Sequence, residues 1–209
     1  MALEPSKVRL KNHIAKAAIA ESFCRGSPHN PNELFTSLYS KWAKGGTTLI
    51  ITGHMFVDRN HTVLPQDPVL DKDSNLSLFK SYAESCALNN CKVVVQLNHP
   101  GRQVPESTNK STIYQFYSNI IFRNVVSVSD VKVAFPGFAK PRPLSEEEIK
   151  RLIKLFGESA QLTKDIGFNG VEIHGAHGYL ISQFLSPKTN PRLMNTEGVF
   201  RIGLVSYSK

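Results

Sequence analysis

The feature that most constrains this chain is the stretch from Gly167 to Arg192, which contains Gly170-Val-Glu-Ile-His174-Gly-Ala-His177-Gly-Tyr179-Leu. A glycine-flanked turn leads into the short apolar run Val171 to Ile173, interrupted by Glu172. Two histidines and a tyrosine follow within six residues. A buried strand whose carboxyl end delivers polar, titratable side chains is how an α/β barrel or an open α/β sheet builds a site. The spacing allows the His174 and His177 rings to point at one small ligand, with Gly175 and Gly178 leaving room for close backbone approach. Phe184, Leu185 and Pro187 are expected to wall that site. Spacing alone leaves open whether the histidines hold a metal, a carbonyl oxygen or a proton.

The rest of the chain repeats the strand-then-helix pattern. Leu10 to Ala20 is a mixed stretch, apolar at Ile14 and from Ala17 to Ala20, expected to give a first buried strand ending in small residues, with His13 ahead of its apolar part in a structural role. Asn30-Pro31-Asn32-Glu33 looks like a helix start, Asn30 being the N-cap and Pro31 the first helical residue. Leu34, Leu38, Tyr39 and Trp42 keep helical spacing, and Gly45-Gly46 stops the helix. Thr47 to Thr52 is a β-branched buried strand ending in Gly53-His54. His61 lies deeper in the following loop, as a surface residue. Ser74 to Leu88 reads as a helix burying Leu76, Phe79, Ala83 and Ala87. Cys91 to Leu97 is a valine-rich strand ending in Gln96, Asn98, His99 and Arg102. An amide on a buried strand must be hydrogen-bonded, and a flat heteroaromatic partner would satisfy it, as would backbone. Val104 to Arg142 is too long for an ordinary connector and is expected to cover a barrel mouth. Ser145-Glu-Glu-Glu148 is a capping box opening a helix with the stripe Ile149, Leu152, Ile153, Phe156 and Ala160. The alternation is that of βα units on a parallel sheet. The fold class is therefore α/β, of the (β/α)8 TIM-barrel type. About four units fill residues 1–192, the N-terminal half, with a tail over 193–209.

Composition narrows the function. The 209 residues carry a net charge of +8, but Lys and Arg are scattered rather than massed in a basic block, which argues against nucleic acid. No apolar run is long enough to span a bilayer, and the basic, broken N-terminus lacks a signal-peptide core. Cys24, Cys86 and Cys91 have neither metal-type spacing nor an even count for a disulfide framework. A cytoplasmic location is expected.

Four motifs then carry a resemblance: Leu10-Lys-Asn-His-Ile-Ala-Lys-Ala-Ala, Ile51-Thr-Gly-His-Met-Phe-Val-Asp-Arg59, Val95-Gln-Leu-Asn-His-Pro-Gly-Arg102 and Gly170-Val-Glu-Ile-His-Gly-Ala-His-Gly-Tyr-Leu. With Gln183-Phe-Leu-Ser-Pro and Thr189-Asn-Pro-Arg192, the sequence resembles the old yellow enzyme family of NADH:flavin oxidoreductases from about Val8 to Arg192. The resemblance implies an FMN-bearing barrel reduced by NAD(P)H that reduces the C=C bond of an α,β-unsaturated ketone or aldehyde. It implies that Ala17, Ala18 and Ile19 end the first strand along the flavin ring, with Ala20 and Gly53 also beside the cofactor. Gln96 matches the amide bonded to the pyrimidine part of the ring. His174 and His177 match the pair that holds the substrate carbonyl oxygen, and Tyr179 matches a residue credited with delivering a proton. No metal is implied. Arg102, in the third-strand motif with His99, is implied to be structural.

Three departures accompany the match. Ala20 stands where other members carry a Thr or Cys that bonds the flavin O4. His54 lies where small residues are frequent. After Arg192 the family's usual continuation is replaced by Leu193 to Lys209, so the chain reads as a C-terminally truncated form that either self-associates to close the barrel or folds poorly. Two other readings stand beside the oxidoreductase. One is a metal-dependent barrel hydrolase using His54, His99, His174 and His177, with Glu172 available on the same strand face as His174. The other is an inactive fragment acting as an interaction protein through its unpaired sheet edge.

Overall fold

The computed structural model describes residues 2–3, 8–25, 29–106 and 125–191. The expected tail at 193–209 and residues 107–124 of the long connector lie outside these. The chain divides into two compact units, Met1–His99 with Leu155–His174, and Pro100–Lys154 with Gly175–Lys209.

The first unit holds a four-stranded parallel sheet. Its strands are β3 (Ala15–Lys16), β4 (Leu49–Phe56), β5 (Lys92–Asn98) and β8 (Gly170–Ile173), paired in chain order. The helices between them are α1 (Glu33–Lys44), α2 (Leu76–Cys86) and α3 (Glu146–Ile166), so the expected βα alternation is realised. A short antiparallel pair, β1 (Ala2–Leu3) with β2 (Val8–Arg9), precedes them. One face of the sheet builds the core. Ile50, Met55, Val93, Val95 and Leu97 pack with Phe35, Tyr39 and Ala43 of α1, Phe79, Tyr82 and Cys86 of α2, and Ile166 and Phe168 near the end of α3. Each large side chain removed from water there contributes about 1.5–3 kcal/mol. Cys24, Cys86 and Cys91 are free, buried thiols, and burial pushes Cys24 up to about 12.

Several sequence readings shift by a residue or a face. Helix α1 is capped by Asn32, whose side chain accepts from the Leu34 N–H, two residues later than expected. Asn30 instead accepts from the Asn75 N–H, ahead of α2. The pattern Asn-Pro-Asn offers two caps, and only the second brings Phe35 and Tyr39 onto the core face. Leu34 is consequently exposed. Helix α2 buries Phe79, Tyr82, Ala83 and Cys86, while Leu76 and Ala87 face water. In α3, Ile153 is exposed and Leu155 takes its place against the core. The first strand is not buried. Only Ala15 and Lys16 pair with β4, and Ile14 and Ile19 are 58% and 66% exposed, because β3 has no neighbour on its far side among the described residues.

The second unit contains β6 (Val126–Ser127) paired parallel with β7 (Arg142–Pro143), and α4 (Leu180–Leu185). The capping box before α3 forms as read. Ser145 Oγ accepts from the Glu148 N–H at 3.2 Å, and the Glu148 carboxylate accepts from the Ser145 N–H at 2.9 Å. Arg142 grips the same carboxylate with two nitrogens, at 2.8 and 2.6 Å, which helps hold the Glu148 carboxyl down to about 2. Among the described residues no helix is long and apolar enough to cross a membrane.

Candidate active site

The site-bearing face of the sheet is set by a bulge in β4. Ile51 pairs with Val94, but the next register partner of β5, Gln96, pairs with His54. One extra residue, at Thr52–Gly53, is inserted there. It turns His54 onto the face that carries Gln96 and sends Met55 into the core, the reverse of what uninterrupted alternation gives. His54 therefore stands inside β4, not at its end, and the strand continues to Phe56. Thr52 Oγ1 accepts from the Gln96 N–H at 3.2 Å, and Tyr39 OH accepts from the Gly53 N–H at 2.9 Å, so donors at the bulge are paired.

His54, Gln96 and Glu172 are register partners across three adjacent strands and form one row. Gln96 is 8% exposed, and its Nε2 donates to Glu172 Oε1 at 2.6 Å. This charge-assisted bond fixes which end of the amide is which. It leaves the Gln96 carbonyl oxygen and the second amide hydrogen available to a neighbour with both donor and acceptor edges. His174 follows β8, two residues beyond Glu172. Its N–H donates to the Leu97 carbonyl at 2.9 Å, which extends the ladder by one residue. The His174 side chain is buried, with its ring 6.4 Å from that of His54.

The Ala17–Ala20 segment runs beyond β3 without further strand pairing, with Ala17, Ile19 and Ala20 exposed and Ala18 half-buried. Gly53 faces this segment. A Cβ placed on it would collide with the Ile19 carbonyl, the Glu21 carboxylate and the Ala20 backbone, so glycine is required for the two segments to cross. Beside the crossing lies a buried ion pair. Glu21 Oε1 accepts from Lys16 Nζ at 3.2 Å and from Tyr39 OH at 2.7 Å. Burial holds the Lys16 ammonium below its usual range, and Glu21 opposes that shift.

Burial lowers His54 to about 4. An exposed imidazole titrates near 6.5, so the unfolded chain takes up this proton at higher pH than the folded chain. The stability that neutral His54 contributes is full above pH 6.5 and is lost as pH falls toward 4, by up to about 3 kcal/mol. We expect the urea midpoint to fall between pH 7 and pH 4.5, and to fall less in His54→Gln. An equal fall in both proteins would assign the acid sensitivity to another group.

In the second unit, His177 adopts a left-handed backbone, φ 56°, with an exposed side chain, and its carbonyl accepts from Gln103 Nε2 at 2.7 Å. Gly178, φ 76°, follows, and a Cβ there would stand 2.6 Å from the same Gln103 nitrogen. Gly175, by contrast, has only ordinary van der Waals neighbours. Tyr179 caps α4 through its backbone and is half-buried. Gln183 anchors this loop from within. It donates to the Gly178 carbonyl at 2.6 Å and accepts from Ser127 Oγ at 2.7 Å. Leu185 and Pro187 are exposed and Phe184 is half-buried, so their expected role as walls is not evident within this unit. Arg102 donates to the Val131 and Lys132 carbonyls, a structural arrangement.

Thus Gln96 and His174 share one face of the sheet with His54, whereas His177 and Tyr179 belong to the other unit. The four-histidine metal set is not assembled among the described residues. The metal-type group there is Asp58, His61 and His99. Sequence reasoning misses Asp58 as a candidate ligand and places His61 at the surface, although the Asp-x-x-His spacing just after β4 is a signal for both. Glu172 is legible as sharing the His174 face, but not as the partner of Gln96.

Residues 3–198 match the model of the NADH:flavin oxidoreductase / NADH oxidase family. The chain is 36% identical over 197 residues to the NADH-dependent flavin oxidoreductase iccE of Talaromyces variabilis, covering 88% of this chain and 46% of that protein. It is 37% identical over 144 residues to the probable NADH-dependent flavin oxidoreductase YqiG of Bacillus subtilis, covering 69% of this chain and 35% of the relative. Among solved structures, the old yellow enzyme from Trypanosoma cruzi matches with a TM-score of 0.77 and 23% identity, over 91% of this chain and 54% of that one. Morphinone reductase matches with a TM-score of 0.76 and 24% identity, over 91% and 51%. These structural likenesses show the fold, a partial α/β barrel of the old yellow enzyme type. The chain spans between 35% and 54% of the length of these four proteins. It belongs to the NADH:flavin oxidoreductase / NADH oxidase family.

Proposed function

We propose that the chain carries the flavin-ring and substrate-carbonyl half of an FMN-dependent, NAD(P)H-driven reductase of α,β-unsaturated carbonyl compounds. The observation that supports this best is the row His54, Gln96, Glu172 with His174 beyond it. It offers a buried, orientation-locked amide and an imidazole on one face at the carboxyl ends of parallel strands.

The residues fit the ring of FMN. The amide of Gln96 has one hydrogen and its oxygen left to meet the alternating acceptor and donor edge of a pyrimidine. The exposed Ala17, Ile19 and Ala20 offer a slender apolar strip against which a flat ring can lie. When bound, FMN supplies the hydride chemistry that no side chain can perform. Glu172 keeps the Gln96 amide from flipping. His174, with His177, donates hydrogen bonds to the substrate carbonyl oxygen, which draws electron density from the β-carbon and stabilises the enolate charge as it develops. Tyr179 delivers a proton to the α-carbon. Burial keeps His54 neutral at physiological pH, so it adds no charge to this row. Small-molecule substrates are the family's class, and self-association belongs to the same proposal.

The test is to titrate the purified chain with FMN, following flavin fluorescence and particle size together. Stoichiometric binding at micromolar FMN, followed by NADH- or NADPH-driven loss of enone absorbance under anaerobic conditions, is the expected result. A chain that is folded by circular dichroism and leaves FMN fluorescence unchanged would overturn the proposal.

A further inference from the structure

A second constellation lies in the first unit, apart from the His54, Gln96 and Glu172 row. Asp58 and His61 sit in the turn just after β4, and His99 follows β5, so all three stand beyond the carboxyl ends of adjacent parallel strands. The backbone ties these ends together: the Val57 N–H donates to the Asn98 carbonyl at 3.1 Å, and the His61 N–H to the Asp58 carbonyl at 2.9 Å. Asp58 Oδ1 accepts from the Asn60 N–H at 3.0 Å, which orients the carboxylate so that Oδ2 stands 3.0 Å from His61 Nδ1. The His61 and His99 rings are 5.0 Å apart at 38°. One ligand-type atom from each of the three residues lies within 4.8 Å of the others.

We propose that Asp58, His61 and His99 form a divalent-cation site of the two-histidine, one-carboxylate type, which zinc fits. The donor set is the first argument. Two imidazoles and one carboxylate are a donor set that zinc takes, as other first-row divalent ions do, and three protein ligands leave one position of a zinc tetrahedron for water. Geometry is the second. Donors around a tetrahedral zinc with bonds of about 2.0–2.1 Å stand about 3.4 Å apart. The Asp58–His61 edge already approximates that, and side-chain rotation of order 1 Å closes the rest. Charge is the third. Asp58 is 4% exposed and His99 fully buried, so a carboxylate is held beside two imidazoles in a medium that strengthens its attraction for a cation. The nearest basic residue in sequence, Arg59, is engaged elsewhere, in a two-pronged pair with Asp71 at 3.0 and 2.7 Å. His61, with its side chain 16% exposed, gives the ion and its water a route in. On binding, the ion takes the place of the proton between His61 Nδ1 and Asp58 Oδ2, and that proton leaves to solvent. The ion would fasten the loop after β4 to the end of β5. The proposal goes beyond the flavin reading and needs no FMN for its test.

The chain is stripped with EDTA, dialysed and titrated calorimetrically with zinc chloride, in parallel with His61→Ala, Asp58→Asn and His13→Ala. The expected result is one zinc per chain with micromolar or tighter affinity, weakened at least 100-fold in His61→Ala and Asp58→Asn and unchanged in His13→Ala. Binding to His61→Ala and Asp58→Asn at wild-type affinity, or no stoichiometric binding by the wild-type chain, would overturn it. Should a variant not fold, zinc-dependent thermal stabilisation of the wild-type chain decides the matter. A melting temperature that rises with zinc and saturates at one equivalent supports the site, and one that stays constant removes it.

Discussion

Glu21→Gln is expected to destabilise the chain by about 3–5 kcal/mol, since removing one member of a buried ion pair leaves the other charge uncompensated. The Lys16 and Glu21 side chains are only 9% and 6% exposed. Burial already holds the Lys16 ammonium below its ordinary range, with Glu21 as the countervailing charge. The same carboxylate accepts from Tyr39 OH, which in turn accepts from the Gly53 N–H, so the loss spreads to the crossing of the Ala17–Ala20 segment over β4. For a chain of this size the melting temperature should fall by roughly 10 °C. The double substitution Lys16→Met with Glu21→Leu removes both charges and should recover most of that loss. Thermal melts of the three proteins check the sign and the recovery. A Glu21→Gln variant melting with wild type would refute the ion pair as a structural anchor.

His174→Ala combined with His177→Ala is the second large effect. On the proposed function, these side chains supply the hydrogen bonds to the substrate carbonyl, and removing one such donor typically costs about 10²–10³ in rate. The double variant should bind FMN as wild type does, because the ring contacts assigned to Gln96 and the Ala17–Ala20 segment are untouched. It should lose cyclohexenone binding by at least 100-fold. Difference spectra of the FMN-loaded proteins on enone titration read both quantities at once. Unchanged enone affinity with FMN retained would strip the histidines of their assigned role while leaving the cofactor site standing.

Much of the architecture was legible because the pattern is local. TTLIIT, CKVVVQL and the Ser145 capping box announce their elements through β-branching and cap chemistry, and each forms within a few residues of its expected place. What escaped depends on pairing between distant segments. Choosing Asn32 over Asn30 as the cap depends on which helix face meets Tyr82, and that is decided by α2. The bond from Gln96 to Glu172 joins residues 76 apart in sequence, and only the β5–β8 register makes them neighbours. The half-buried place of His61 beside His99 is of the same kind. The exposure of Ala17–Ala20 escaped for the opposite reason: the run is composed like a core strand but lacks a second neighbour among the described residues.

The bulge at Thr52–Gly53 gives β4 a phase. Upstream of it, odd-numbered residues share the face that carries Gln96. Downstream, even-numbered ones do, and His54 is the first of these. Straightening this segment at unchanged length would restore simple alternation and exchange the destinations of imidazole and thioether, sending a polar ring to the helices and Met55 onto the row, whereas removing one residue would take out the bulge and leave both on their present faces. The faces downstream thus depend on the extra residue being taken up as a bulge. Thr52 holds the kink by accepting from the Gln96 N–H and Gly53 by leaving room for the Ala17–Ala20 segment, and a regular strand of the same length would rewrite both faces of the sheet at once.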